Sequence, residues 1–97
     1  MERLRTMLKR KRKGDPLDYV RDLSLAILQG RVIGDEVLFH DAVNEIYGTL
    51  KGALFRGDEH REELIRAYEL AVILKYLVHD GVKTSREILE ELVKTLE

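Results

Sequence analysis

Residues 35–79 read DEVLFHDAVNEIYGTLKGALFRGDEHREELIRAYELAVILKYLVH, and this stretch decides the fold. Phe39, Ala42, Val43, Ile46, Tyr47, Leu50, Ala53 and Leu54 recur at steps of three and four, the spacing that gathers apolar side chains on one side of an α-helix. Gly34-Asp35 offers a cap ahead of the run and Gly57 a stop behind it, predicting a helix of about 22 residues and roughly 33 Å. Asp58 caps a second run. Its stripe passes through Leu64, Ile65, Ala67, Tyr68, Ala71, Val72, Leu74, Lys75, Leu77 and Val78 before His79-Asp80-Gly81 ends it. Two helices of matching length joined at Gly57-Asp58 fold back as an antiparallel hairpin, in which facing residues have numbers that sum to about 115. Gly48 then stands opposite Ala67. A glycine inside a helix costs about 1 kcal/mol relative to alanine. Gly48 and Gly52, one turn apart, therefore predict close approach of a neighbouring helix, with Gly48→Leu strongly destabilising.

Working outward, Lys13-Gly14-Asp15-Pro16 marks a boundary. Glycine breaks, aspartate caps, and proline suits the first helical position, where its missing N–H has no intrahelical partner. Leu17, Val20, Leu23, Ser24, Ile27 and Leu28 continue at helical spacing to the stop at Gln29-Gly30. At the other end, Thr84-Ser85-Arg86-Glu87 has the form of a capping box and opens a helix whose apolar side is Ile88, Leu89, Leu92, Val93 and Leu96. No strand-like alternation or internal repeat competes with this reading. The expectation is an all-α protein, a small antiparallel helical bundle of four main helices over 16–29, 35–56, 59–79 and 85–96. They form one domain, 14–97, behind a basic N-terminal arm, 1–13.

The 97 residues suffice for one core. The formal charge of −1 conceals a division along the chain. Arg3, Arg5, Lys9, Arg10, Lys11, Arg12 and Lys13 face only Glu2 in the arm, a net +6, while residues 14–97 carry −7. Five adjacent cations repel one another unless an anionic surface meets them. The arm is accordingly the candidate site for binding nucleic acid phosphates or an acidic protein partner. Leu4, Met7 and Leu8 recur at helical spacing within it and give a second option, docking on the body through an apolar stripe. Without cysteine there is no disulfide, thiolate metal site or cysteine nucleophile. No apolar run approaches the ~20 residues that cross a bilayer, and no stretch has the layout of a signal peptide, so a soluble cytoplasmic protein without membrane partners is expected. Asn44 and Gln29 are the only side-chain amides, and with abundant Glu, Lys and Arg this is a thermophile-like bias.

Few residues suggest chemistry. Leu74, Leu77, the Gly81 turn and Thr84-Ser85-Arg86-Glu87-Ile88 resemble the first half of a helix-turn-helix over about a quarter of the chain, from Ile73 to Leu96. In DNA-binding proteins of that kind a recognition helix follows; here the chain ends at Glu97. Glu59-x-x-Glu62 and Glu87-x-x-Glu90 resemble the paired carboxylates with which all-helical nucleotide pyrophosphatases hold Mg²⁺, although those enzymes have aspartate where this chain has Glu90. The same acids also suit two solvated helix beginnings, where they oppose the macrodipole. Glu36/His40, Asp41/Glu45 and His60/Glu63 have ligand spacing on a helix but fall largely off the apolar stripes. His79 suits the end of a helix, where a protonated imidazole meets the carbonyls. Ser24 and Ser85, the only serines, sit in a stripe and at a cap. No catalytic residue, metal site or cofactor is assigned.

Tyr19, Phe39, Tyr47, Phe55, Tyr68 and Tyr76 exceed what one small core can hold, so a homodimer is expected. The function expected is that of a helical interaction or assembly protein without catalytic activity, its arm contacting an acidic partner. A nucleic-acid-associated protein binding phosphates through the arm is the first alternative, and a Mg²⁺-dependent nucleotide hydrolase the second.

Overall fold

The computed structural model describes residues 15–29, 36–57, 61–77 and 82–97. They form four helices, α1 (Pro16–Gln29), α2 (Glu36–Arg56), α3 (Arg61–Leu77) and α4 (Val82–Leu96), and no strand occurs among them. The arm, residues 1–13, lies outside the described residues. Each helix packs on two neighbours, α1 on α2, α2 on α3, α3 on α4 and α4 back on α1, so the four close into a ring. Connections of six residues or fewer make sequential helices antiparallel. The 21-residue α2, about 31 Å long by its rise per residue, runs nearly the full 36 Å length of the bundle.

The helix ends follow the local chemistry. Asp15 Oδ1 accepts from the Leu17 N–H at 2.9 Å, the bond of an N-cap to the second helical residue. The Tyr19 N–H meets the Asp15 carbonyl at 3.1 Å to open the helical ladder. At the end of α2, Gly57 adopts φ +69°, and its N–H donates to the Leu54 carbonyl at 3.1 Å, a glycine C-cap of the Schellman kind. α4 begins earlier than its capping box predicts. Its backbone is helical from Val82, so Thr84 lies inside the first turn, whereas an N-cap has non-helical backbone. Ser85 in this first part of the helix is fully buried.

The core sits between all four helices, with Leu23 and Ile27, Ile46 and Leu50, Leu64 and Leu74, and Leu89 and Leu92 removed from solvent. Ser24 shares that interior because its hydroxyl donates to the Val20 carbonyl at 2.8 Å, which meets the cost of burying it. Phe39 and Tyr19 are also interior. Glu45 of α2 faces the Tyr19 hydroxyl of α1, and burial, then the Glu45 charge and hydrogen bond, push this tyrosine's pKa up to about 12.

The expected close approach at Gly48 is not found. A Cβ there would meet nothing within 4 Å, and one at Gly52 would meet only the mobile end of Arg56, at 3.4 Å. The 115 register itself holds, since Tyr47 touches Tyr68. At the level of Gly48, however, Ala67 points into the core while Gly48 is exposed. Facing level and facing direction are separate properties of a helix pair, and only the first follows from a turn position.

Two measurements follow. In denaturant melts, Gly48→Ala is expected to raise stability by about 1 kcal/mol and Gly57→Ala to lower it by about 1–2 kcal/mol, the cost of left-handed backbone for an L-residue. Equal effects of the two would refute the distinction. Because Tyr19 is held neutral in the fold, its contribution is complete below pH 10, the unfolded value, and is lost as pH rises toward about 12. Tyr19→Phe should flatten the fall of stability across that alkaline window.

Candidate functional site

α3 is apolar on two sides. Leu64, Ala67, Leu70, Ala71 and Leu74 face inward. Ile65, Tyr68, Val72 and Tyr76, at steps of three, four and four, run along a second stripe whose members are partly or largely exposed, Ile65 by 39% and Tyr76 by 80%. The sequence merges the two into one stripe because Leu64-Ile65, Ala67-Tyr68 and Ala71-Val72 are neighbours in the chain. Only packing against α2 and α4 separates them.

Beside the second stripe lies a groove between α2 and α3 of about 400 Å³, lined by Tyr47, Val72, Lys75 and Tyr76. Tyr47, which lines it, is paired with Tyr68. The hydroxyls of Tyr47 and Tyr68 lie 3.3 Å apart and the rings meet at 5.6 Å between centroids, tilted by 30°. Two ammonium groups converge on the Tyr47 ring. Lys75 Nζ stands 4.2 Å from its centroid and Lys51 Nζ 5.8 Å. Lysine at position 75 of an apolar stripe is thereby explained: its stem covers apolar surface, and its charge sits over an electron-rich ring face at the edge of solvent. Among the described residues, no carboxylate pairs with either ammonium.

The tyrosines ionise unequally. The hydrogen bond shared with Tyr68, in which either hydroxyl can donate, holds the Tyr47 pKa below the ordinary tyrosine value together with the charges of Lys51 and Lys75. The same bond raises that of Tyr68, which lies farther from those charges and would ionise beside an anion. The surface around Tyr47 thus combines two cations, a hydroxyl pair and, along the groove, aromatic surface, a combination suited to a ligand that is both anionic and apolar.

The residues singled out in the sequence fare differently. Arg3, Arg5, Lys9, Arg10, Lys11, Arg12 and Lys13 lie outside the described residues, as do Glu59, His60 and His79. Glu62 and Glu87 are exposed, and Glu90 is held by Arg86 at 3.3 Å. Asp41 and Glu45 do not form a pair facing one site, since Asp41 is exposed and Glu45 faces Tyr19. Among the described residues, no group of three or more His, Cys, Asp or Glu is placed to hold a metal ion. The helix-turn-helix-like segment lies in α3 and α4, and Leu89, Leu92 and Leu96 of α4 are buried in the core. No helix among the described residues is long and apolar enough to cross a membrane. The surplus of aromatics was the one sequence signal of the groove, because Phe55, Tyr76 and part of Tyr47 and Tyr68 are left outside the core.

Comparison with models of protein families, with curated proteins and with solved structures finds no match to this chain.

Ultraviolet titration tests the pair. In the parent chain Tyr47 should ionise before Tyr68; Tyr68→Phe removes the hydrogen bond and should move the first phenolate transition to higher pH. An unchanged first transition would show that the lysines alone set it.

Proposed function

We propose that the chain is a non-catalytic interaction module that assembles on an acidic protein partner. The observation that carries this reading is the coincidence of two cationic features in one chain. One is the pair Lys51 and Lys75 at the Tyr47 ring, with no carboxylate partner among the described residues; the other, read from the sequence, is the run Lys9-Arg10-Lys11-Arg12-Lys13, with Arg3 and Arg5 before it. They occur on a chain whose remainder is acidic, so the basic character is confined to particular surfaces. Four antiparallel helices return α1's start and the α2–α3 turn to the same end of the bundle. An arm of thirteen residues reaches at most about 43 Å when extended, more than the 36 Å length of the bundle. One partner can meet both features.

A second reading, binding of nucleic acid phosphates by the arm, draws on the same cations. Homodimer formation is a further component of the proposal, supported by Val37 and Phe55, which are 73% and 82% exposed on α2. Cytoplasmic residence and a thermophilic source rest on composition alone.

Replacing Lys9, Arg10, Lys11, Arg12 and Lys13 by glutamine in the full chain should abolish binding to polyglutamate. Duplex DNA, titrated in parallel, discriminates the readings. Tighter binding to DNA, with a log–log salt slope near −4.5 for about five phosphate contacts, would favour the nucleic acid reading. Binding of either polymer that is untouched by the substitutions would overturn the role of the arm. Light scattering over a concentration series decides dimer formation.

A further inference from the structure

Building on the reading of the chain as an interaction module, we infer that the groove between α2 and α3 is the docking site for an acidic amphipathic helix of the partner. Three observations converge on that occupant. The first is spacing. Ile65, Tyr68, Val72 and Tyr76 advance at i, i+3, i+7 and i+11 along α3, about 16 Å at the helical rise, and this is the seam with which a helix receives another helix. The second is room. The groove holds about 400 Å³ between Tyr47, Val72, Lys75 and Tyr76, within the range of about 300–1,000 Å³ typical of ligand sites, and takes large side chains presented one turn apart.

The third is charge. Lys75 lines the groove, and Lys51 and Lys75 both lie within 6 Å of the Tyr47 ring centre, so the Tyr47 side of the groove is cationic. Glu69, on the outward side of α3, is already engaged by Arg66 at 3.7 Å. The chain's own arm carries a net +6, the same sign as Lys51 and Lys75. A second copy presenting the same face would bring two more lysines to the seam. Single-stranded nucleic acid needs a row of open ring faces along a basic track, whereas Lys75 covers Tyr47 and Tyr47 covers Tyr68, leaving Tyr76 as the open ring of the groove wall.

Fluorescence anisotropy on the full chain tests this with a labelled model helix of about 18 residues carrying leucine and phenylalanine at seam spacing and glutamate on both flanks. The comparison probes are its glutamine counterpart and an oligothymidylate. The acidic helix should bind about tenfold or more tightly than the glutamine form, and Lys51→Gln with Lys75→Gln should remove that difference. Tyr76→Ala should weaken both peptides, and thermal melts of these surface variants should match the parent. The arm substituted with glutamine should keep the discrimination.

Failure of the acidic helix to bind, with polyglutamate still held by the arm, would overturn the groove while leaving the interaction module standing. Loss of binding in the arm variant alone would do the same. Tighter binding of oligothymidylate, lost on substituting Lys51 and Lys75, would give the groove to nucleic acid. A dimer that Tyr76→Ala dissociates would give it to a second copy. Either of these last results overturns the inference.

Discussion

Two helices consecutive in the chain hide each other's apolar stripes when the chain reverses between them within a few residues and returns in register. Gly57 meets both conditions. Its positive φ ends α2 in a conformation that costs glycine little, and its N–H takes up one of the last free carbonyls. The contact of Tyr47 with Tyr68 is the direct result, ten residues before the turn on one side and eleven after it on the other. The remainder is arranged on that hairpin. α1 and α4 close over its inner face, and the outer face keeps the tyrosines, the lysines and the apolar stripe that the core has no room for.

The helices were legible because their signals are local. Asp15 and Pro16 start α1 as their chemistry requires, Gly57 stops α2, and the steps of three and four choose the buried residues of α1 and α2 well. Where the reading failed, the deciding physics was not local. Gly48 and Gly52 suggest tight packing only if they point at a neighbour, and direction depends on how the whole helix is rotated in the bundle. The capping box at Thr84 placed the start of α4 too late, since the backbone is already helical from Val82. The groove was the least legible part. Its two walls are distant in the chain, and its apolar stripe interleaves residue by residue with the core stripe of α3, so periodicity alone reports a single broad face. The arm, by contrast, is legible as charge and as nothing else.

Lys75 illustrates how a polar residue can occupy an apolar pattern without breaking it. A lysine in a stripe is ordinarily a defect to be solvated. Here the aromatic face below it supplies an electrostatic partner that is itself apolar, so the helix keeps its packing and the surface keeps a positive charge with no carboxylate partner among the described residues. The same device leaves the ammonium available to a negative group from outside, which a carboxylate partner in the same chain would have prevented.

The closure of α4 on α1 makes the bundle a ring of helices rather than a row. Asp15 and Glu97 come to lie at one end of it, on the two sides of the gap between neighbouring helices that no connection bridges. The helical body should accept a circular permutation that bridges this gap and opens the α2–α3 turn instead, moving any appended segment to the foot of the tyrosine groove without changing a single buried contact.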